Sequence, residues 1–519
     1  MTFRLFLSLF LLAYFPLFLQ AQPVPPKREF RGVWIATVAN IDWPSRKGLS
    51  PVVQQQEFTT ILDAHHKNGM NAIVVQIRPV ADAFYRSQYE PWSEWLTGKQ
   101  GQEPNPPYDP LAFMVEESHQ RGMEFHAWFN PYRATFDTVA SKLSPKHVSL
   151  QHPEWLLTYG GKKMFNPGLP EVREYIVQVI LDVVRNYDID GVHFDDYFYP
   201  YPIASDTLLD DSTFVKHPNG FTNIDDWRRH NVNLLIKMIY DSIRLAKPHI
   251  KFGISPFGVW RNMSEDPQGS DTRAGNTSYT HLYADSRSWL QEGIIDYIVP
   301  QNYFSTGYKV VNYEKLTNWW LQNTHGRHLY MGHGPYKINK NADSTWFQPS
   351  EIPRQIRLNR QYPQIKGSVY FSSKSIMSNP NHVADSLQAD FYRYPALIPT
   401  MPWRDSIAPL APEKLKAKRH LHGITLSWLV PPAATDGDTA YYYVIYRFNR
   451  KQPTNTGDPR NILAIHRENT TTFTDATVEP RKKYVYIVSA IDRLHNESIG
   501  NEQVKKKARS KLLVTEKQL

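Results

Sequence analysis

The chain contains no cysteine, so it can form neither disulfide bonds nor thiolate metal sites. It also lacks a G-x-G-x-x-G turn and a P-loop, the glycine-rich patterns that most often indicate nucleotide binding. No nucleic-acid-binding module is recognisable, although the net charge is +9. Beyond the N-terminal residues, no apolar run is long enough to span a bilayer. We therefore expect no nucleotide cofactor, no nucleic-acid partner and no transmembrane span in the mature chain.

The first 21 residues have the pattern of an export signal. Arg4 supplies a positive charge, residues 5–19 are almost wholly apolar, and Leu-Gln-Ala at 19–21 suits a cleavage site. Pro16 interrupts the apolar run, which is short for a membrane span. We predict a signal peptide at 1–21 and an exported protein, periplasmic or associated with the cell surface. Without cysteine it is not a lipoprotein, and an uncleaved membrane anchor is the alternative.

Aromatic residues make up 13% of the chain, with 14 Trp and 30 Tyr. Aromatic rings stack on the apolar faces of sugars, but they also fill protein cores. The basic charge favours anionic polymers or acidic surfaces as partners.

Residues 28–395 alternate apolar segments with amphipathic ones. The predicted strands lie at 31–38, 71–79, 123–129, from 190, and at 250–256, 295–300, 328–333 and 366–372. The predicted helices lie at 53–67, 110–120, 171–185, 225–246, 281–291, 313–323, 352–360 and 381–391. Eight such units predict the α/β class and a (β/α)₈ TIM barrel, with long loops at its C-terminal face. A doubly wound open sheet is the alternative, disfavoured by the missing glycine-rich turn.

The composition changes after residue 395. Residues 396–411 are proline-rich and are interpreted as a linker. Residues 412–500 contain short alternating strands and predict a β-sandwich similar to a fibronectin type III domain. Residues 501–519 are interpreted as a basic, solvated tail. We expect the sandwich to be dispensable for chemistry, and a chain ending near Pro399 to fold.

The segment 190–200, DGVHFDDYFYP, is the most informative. Its strand delivers two adjacent carboxylates, Asp195 and Asp196, where a barrel presents catalytic groups. Residues at odd positions share one face, which places His193 and Asp195 on the same side. Paired acids beside aromatic residues suit cleavage of glycosidic bonds. We therefore predict Asp195 and Asp196 as catalytic, against the alternative of a solvated, helix-capping turn.

Four motifs resemble the glycosyl-hydrolase-like 10 family. They are FRGVWIATV at 30–38 with NIDWP at 40–44, the acid segment at 190–200, SPFGVWRN at 255–262 and DYIVPQ at 296–301. The resemblance implies an exported bacterial barrel related to glycosidases. At least one branch of that family resembles an enzyme that cuts peptidoglycan strands stripped of their peptides. Asn302 departs from the apolar residue expected at its position, which bears on substrate preference.

The predicted substrate-binding residues lie at strand ends or in the following loops. They are Trp34, Asp42, Trp43, Gln76, Arg78, Asn130, Tyr132, Arg133, His193, Tyr197, Tyr199, Trp260, Arg261, Gln301, Asn302 and Tyr303. The amides suit sugar hydroxyls and the rings suit stacking. Arg78 and Arg133 have two interpretations: they grip a substrate carboxylate, or they pair with the two aspartates.

The second acid that a glycosidase needs is open at this stage. Asp42, Glu265, Asp266 and Asp271 lie in loops of the expected face. A substrate-assisted route, in which an N-acetyl group replaces the nucleophile, is a further alternative.

No metal-ligand spacing is recognisable among the histidines, so we predict no metal and no cofactor. The function expected is an exported glycoside hydrolase acting on an amino-sugar polysaccharide, most directly peptidoglycan. The alternative is a non-catalytic carbohydrate-binding surface protein. The oligomeric state is not specified by the sequence.

Overall fold

The computed structural model describes residues 24–139, 142–467, 470–500 and the strand at 504–507. Its larger part is a closed barrel of eight parallel strands in the order β1-β8-β7-β6-β5-β4-β3-β2. The strands are β1 Phe30–Ile35, β2 Ala72–Arg78, β3 Glu124–Phe129, β4 Gly191–Phe194, β5 Lys251–Ile254, β6 Tyr297–Ile298, β7 His328–His333 and β8 Ile365–Tyr370. The closed ring of parallel pairs confirms the barrel and excludes an open doubly wound sheet for these residues.

A helix follows each barrel strand. The helices are α1 Pro51–Lys67, α2 Pro110–Gln120, α3 Pro170–Asn186, α4 Ile224–Ala246, α5 Ser286–Glu292, α6 Tyr313–Gln322, α7 Glu351–Asn359 and α8 Val383–Ser386. Sequence chemistry sets their starts: Ser50 and Asp109 cap α1 and α2 by accepting backbone N–H bonds, each followed by a proline at the first helical position. No helix within the described residues combines the length and apolarity needed to cross a membrane.

Shorter elements occupy the loops between these units. The α-helical turns are Glu94–Thr97, Val148–Gln151, Asp211–Lys216, Ser278–His281 and Ser373–Met377. The 3₁₀ turns of the barrel are Val38–Asn40, Pro153–Trp155, Pro335–Lys337, Ser344–Phe347 and Pro380–His382, and α8 continues as a π-helical turn, Leu387–Phe391; a further 3₁₀ turn, Pro459–Asn461, lies in the C-terminal part. A β-hairpin, Leu156–Tyr159 and Lys162–Phe165, lies in the loop after β3.

Large side chains fill the barrel interior. Phe30 stacks on Tyr330 with ring centroids 4.2 Å apart, and Trp34 and Trp128 are buried nearer the C-terminal face. Such dense packing makes the interior a core rather than a channel.

The C-terminal part is a sandwich of two antiparallel sheets. Its strands are β9 Glu413–His420, β10 Gly423–Leu429, β11 Tyr442–Asn449, β12 Ile462–Arg467, β13 Thr472–Asp475, β14 Lys483–Ile491 and β15 Val504–Lys507. One sheet has the order β9-β10-β13 and the other β12-β11-β14-β15. Trp428 of the first sheet packs on Tyr443 of the second, 5.1 Å between ring centroids. The predicted fibronectin type III-like sandwich is confirmed.

The predicted signal peptide and most of the predicted basic tail lie outside the residues that the structure describes. The signal peptide at 1–21 lies outside the described residues. Of the predicted basic tail, residues 504–507 form β15 and pair with 483–486, so this part is a strand and not a solvated tail. The rest of 501–519 also lies outside the described residues.

The sandwich binds the N-terminal end of the barrel, opposite the loops that follow the strands. Arg493 forms an ion pair with Asp188, just before β4, at 2.6 Å. His495 contacts Glu124, the first residue of β3, at 2.8 Å. Both contacts are made at strand starts, so the sandwich does not approach the C-terminal face.

The segment interpreted as a linker is partly built into the barrel. Met401 is fully buried against the interior residues, and the Arg404 guanidinium pairs with the buried Asp296 carboxylate. Residues 396–405 therefore belong to the barrel's base. A chain ending near Pro399 would leave Asp296 as an unpaired buried charge, which works against the expected independent folding.

Candidate active site

A cavity of about 460 Å³ opens at the C-terminal face of the barrel. Its lining combines the residues that follow several strands, as expected where parallel strands end together. The cavity is lined by Trp34, Ala36, Val38, Ile41, Gln76, Trp128, Arg133, Asp195, Asp196, Tyr197, Tyr201, Ser255, Phe257, Gln301, Tyr303, Phe304, Tyr336, Lys337 and Phe371.

Asp195 directly follows β4 and is held by a chain of hydrogen bonds. Its Oδ2 accepts from the side-chain amide of Asn130 at 2.5 Å. The Asn130 oxygen accepts from Gln76 at 2.5 Å, and Gln76 in turn accepts from the Thr37 and Val38 backbone N–H groups at 3.1 and 2.9 Å. The ends of three strands thus fix one carboxyl group.

Asp196 has a different set of partners. The Tyr201 hydroxyl donates to its Oδ2, and the Gln301 amide donates to its Oδ1 at 3.0 Å. Gln301 also donates to the Ser255 carbonyl at 3.0 Å, which orients the amide. Two donors to one carboxylate favour its charged form.

The two carboxyl groups therefore differ in proton affinity. Burial, followed by the adjacent Asp196 charge, raises the pKa of Asp195 to about 7, and the nearby Arg133 opposes this shift. Burial also raises the pKa of Asp196, against the effect of the Tyr201 hydroxyl bond. Asp195 can therefore carry a proton close to neutral pH, and the two carboxyl groups titrate as a coupled pair.

Aromatic rings form the walls around the acids. Tyr303 lies between Tyr336 and Phe371, with ring centroids 5.8 and 6.1 Å away. Tyr197 is 40% exposed, and the Arg133 guanidinium lies 4.3 Å from its ring centroid. Such surfaces suit the apolar faces of sugar rings.

His193 supports the floor of the cavity from below. It is fully buried and contacts Trp34 Nε1 at 3.3 Å, Ser255 Oγ at 2.9 Å and Tyr297 Oη at 3.1 Å. Burial lowers the pKa of His193 well below its usual value, so the ring is neutral. His193 therefore positions Trp34, and the prediction that it binds substrate directly is wrong for this arrangement.

A second compartment of about 440 Å³ adjoins the first. The two share Val38, Ile41, Arg133, Tyr197 and Tyr201 in their walls. The hairpin at 156–165 and the segment 197–203 form most of the second compartment, and the largely buried rings of Tyr132 and Tyr199 lie behind it.

The sequence comparisons agree with this geometry. Residues 29–348 match the model of the family described as Glycosyl hydrolase-like 10. The chain belongs to the glycosyl hydrolase-like 10 family. It is 50% identical over 485 residues to the glycosyl hydrolase YngK of Bacillus subtilis, covering 92% of this chain and 94% of that protein. It is 40% identical over 368 residues to the glycosyl hydrolase DigH of Escherichia coli K12, covering 66% of this chain and 83% of that protein.

Among solved structures, the glycoside hydrolase domain of PgaB (BpsB) from Bordetella bronchiseptica is similar at a TM-score of 0.48 and 10% identity. The match covers 70% of this chain and 99% of that one. As a member of the glycosyl hydrolase-like 10 family with an acid pair at the mouth of its barrel, the protein is a glycoside hydrolase.

Arg78 is buried outside both compartments. Its side chain is 1% exposed and forms a two-pronged ion pair with Glu90, Nε to Oε2 2.8 Å and Nη2 to Oε1 2.5 Å. Both interpretations made from the sequence are wrong, because the partner is neither a ligand nor an aspartate of the pair. Glu90 lies in the loop after β2, and no sequence spacing indicated it.

Four other predicted binding residues have structural roles outside both compartments. Trp43 is buried against Phe58 and Phe84, and Trp260 stacks on Trp319. Asn302 is buried and donates to the Tyr313 carbonyl at 3.1 Å. Arg261 pairs with Asp266 at 2.7 Å. These predictions are wrong because residues at strand ends also pack and tie down loops.

The remaining acids proposed as a second catalyst are also accounted for. Asp42 accepts from the Ala36 N–H at 2.8 Å and the Ser372 hydroxyl at 2.7 Å, so it ties the end of β1 to the loop after β8. Asp271 pairs with Lys315, and Glu265 accepts from Asn262 at 2.6 Å. Of the described residues, only Asp195 and Asp196 bring carboxyl groups into the cavity.

Several lining residues were missed from the sequence. They are Tyr201, close after the acids, and Tyr336, Lys337 and Phe371, which lie far from the acids in the chain. Tyr201 alone carried a local signal, since it continues the aromatic run after the acids. Within the described residues, the acidic side chains close enough together to share a cation are Asp405, Asp438 and Asp492, and they lie outside the barrel strands and the loops that follow them.

Proposed function

We propose that this glycoside hydrolase is exported, acts in the periplasm or at the cell surface, and cleaves the amino-sugar glycan strands of peptidoglycan. The proposed reaction rests on one observation, the different surroundings of the Asp195 and Asp196 carboxyl groups. The Asp195 carboxyl has a pKa of about 7, and it stands beside the Asp196 carboxyl, which accepts hydrogen bonds from Tyr201 and Gln301. Environments that separate the pKa values of two carboxyl groups are typical of acid–base assignments in glycosidases.

Asp195 is the general acid in this proposal. Asn130 occupies its Oδ2, so Oδ1, which accepts only a long 3.4 Å bond from the Tyr197 N–H, is the oxygen available to carry the proton. The proton passes to the glycosidic oxygen as that bond breaks. The resulting carboxylate then accepts a proton from the incoming water, which restores the starting state.

Asp196 is the second carboxylate. It stabilises the positive charge that develops at the anomeric carbon, and it does so by one of two routes. It attacks that carbon itself, or it orients an N-acetyl group of the substrate that attacks in its place. Tyr201 and Gln301 hold it in one orientation for either route.

The substrate class rests on three supports. The cavity offers aromatic faces with neutral amides, Gln76 and Gln301, which suit sugar rings and acetamido groups. The chain's net charge of +9 suits an anionic wall polymer. The resemblance to the glycosyl-hydrolase-like 10 family implies peptide-free glycan strands.

The test is to incubate the purified protein with peptidoglycan strands stripped of their stem peptides. New reducing ends and fragment masses measure cleavage, and Asp195→Asn is the control for contaminating activity. We expect shortened strands with the wild-type protein only. Strands that stay intact but bind the protein would support the carbohydrate-binding alternative and overturn the proposed reaction. A preference for another polysaccharide in the same assay would replace the substrate class alone.

A further inference from the structure

The wall of the second compartment carries positive charge and no negative charge, although Arg133 at its edge also lies close enough to Asp195 to oppose the rise in the pKa of that carboxyl. Arg133, Lys162 and Lys163 line it, and no Asp or Glu is among its lining residues. None of these three cations forms an ion pair with a carboxylate within the described part of the chain, whereas nearby Lys142 pairs with Asp137 at 3.1 Å. Unpaired cations beside an apolar wall attract an anion from solution more strongly than fully hydrated ones.

The wall that carries the lysines is held in place. The hairpin turns at Gly160–Gly161, where both residues have positive φ values of 57° and 68° that favour glycine. On one side the Lys163 carbonyl accepts from the N–H groups of Ala134 and Thr135 at 3.1 and 3.0 Å. On the other side Tyr159 Oη accepts from the Ile203 N–H at 2.6 Å.

The opposite wall is aromatic and leads to the acids. Tyr197 and Tyr201 belong to both compartments, and Tyr201 also holds Asp196. Arg133 lies at the junction, over the Tyr197 ring. A ligand in the second compartment is therefore continuous with one at the cleavage site, as the next sugar of a polymer would be.

We propose that the second compartment binds the sugar adjacent to the cleaved bond, and that Lys162, Lys163 and Arg133 select sugars bearing a free carboxylate. This inference rests on the proposed function, which supplies the glycan substrate. It adds a specificity for a carboxylate on the neighbouring sugar, which the acid pair does not provide. The carboxylate is carried either by a lactyl ether or by a uronic acid. The two share the chemistry that the cations recognise, and an arginine offers a fork that fits a carboxylate.

Matched substrates test the selection. One glycan oligosaccharide is prepared with free carboxylates, and the same oligosaccharide with those carboxylates converted to neutral amides. We expect the wild-type kcat/KM for the free acid to exceed that for the amide by about 10-fold or more, the scale of one hydrogen bond to a charged group. Lys162→Gln/Lys163→Gln should reduce this ratio toward one, mainly by raising KM for the free acid.

A matched control variant removes two lysine charges at positions outside both compartments. Lys67 and Lys99 are exposed and lie outside both compartments. Lys67→Gln/Lys99→Gln should keep the wild-type ratio. If this control lowered the ratio as much, general electrostatic attraction would explain it and the compartment assignment would be wrong.

Binding to Asp195→Asn separates the two proposals. Calorimetry with the free acid and with the amide reports the preference even where no bond is cut. A preference for the free acid that Lys162→Gln/Lys163→Gln abolishes supports the compartment, whatever the cleavage assay shows. Equal affinity for the two ligands overturns it, even if peptidoglycan strands are cleaved. Oligouronates in a parallel arm distinguish a uronic acid from a lactyl group as the recognised source.

Discussion

The side-chain amide of Asn130 donates a 2.5 Å hydrogen bond to Oδ2 of Asp195. This bond favours the charged form of Asp195 and so opposes the rise in its pKa caused by burial. The other carboxyl oxygen, Oδ1, accepts a 3.4 Å bond from the Tyr197 N–H. Asn130 therefore sets both the orientation and the acidity of the proposed acid, although it does not line the cavity itself.

Replacing Asn130 with alanine should lower kcat by about 10-fold or more, since a mispositioned general acid loses part of a 10²–10⁴-fold contribution. Because the lost bond favoured the carboxylate, the pKa of Asp195 should rise further. The alkaline limb of the kcat/KM profile should move to higher pH. Asn302→Ala, a buried asparagine outside the cavity, should leave that limb in place. A lower rate with an unmoved limb for Asn130→Ala would show only a packing role.

Asp195→Asn should reduce kcat by at least ~10²-fold while leaving substrate binding largely intact, because it removes proton transfer but keeps size and polarity. Asp196→Asn should weaken both rate and binding, since it removes the charge that Tyr201 and Gln301 orient. Steady-state kinetics on a confirmed substrate measure both. Asp266→Asn serves as the control. Full turnover by Asp195→Asn would require another residue as the acid.

The pH dependence follows from the sign of the Asp195 shift. A general acid works only when protonated, so activity should fall as the pH rises through about 7, while protonation of Asp196 sets the fall on the acidic side. The ordinary pKa is 3.8 and the folded value is about 7, so the folded state binds this proton more tightly. Its stabilising contribution is complete below about pH 4 and is lost as the pH rises to about 7. Urea unfolding measures the free energy of unfolding of both proteins. The stability of Asp195→Asn relative to wild type should therefore be greater at pH 8 than at pH 4.

Breaking the Arg78–Glu90 pair should affect stability rather than specificity. Arg78→Met leaves the Glu90 carboxylate buried without its partner, at a cost of about 3–5 kcal/mol in the free energy of unfolding. Arg78→Met/Glu90→Leu removes both charges and should recover much of the loss. Chemical denaturation measures each variant. If Arg78→Met instead raised KM at unchanged stability, the arginine would be a ligand-binding residue after all.

Two truncations probe the base of the barrel. Ending the chain after Ala411 keeps the Arg404–Asp296 pair, whereas ending it after Pro399 removes it along with buried Met401. We expect the shorter chain to be the less stable of the two and the full chain to exceed both. Thermal unfolding gives the order. Equal stability of the two truncated chains would mean that residues 400–411 add nothing to the barrel.

Pattern reasoning recovered the barrel because its strands are buried on both faces and its helices begin at recognisable caps. The position of Asp195 and Asp196 at the mouth of the barrel could also be predicted from the sequence, since they follow an apolar strand directly. The structural roles of Trp43 and Asn302 could not be predicted, because an aromatic or amide side chain at a strand end can pack against a loop as readily as it can bind a ligand. Only three-dimensional packing distinguishes these uses.

The role of Glu90 shows a second reason for failure. It reaches Arg78 from a loop, and the pair becomes apparent only when both side chains are buried together. Tyr336 and Phe371 likewise enter the cavity from the loops after β7 and β8. Contacts between distant loops depend on loop conformation, which periodicity and spacing do not encode.

The attachment of the sandwich to the barrel's base has a practical consequence for how the protein meets an insoluble polymer. Lys27, before the first barrel strand, pairs with Glu497 of the sandwich at 2.5 Å, so the chain enters the barrel on the side where the sandwich is attached. Immobilising the protein through the sandwich would leave the catalytic mouth pointing away from the support. A polymer strand could then lie across that mouth from open solvent, with the tether never in its path.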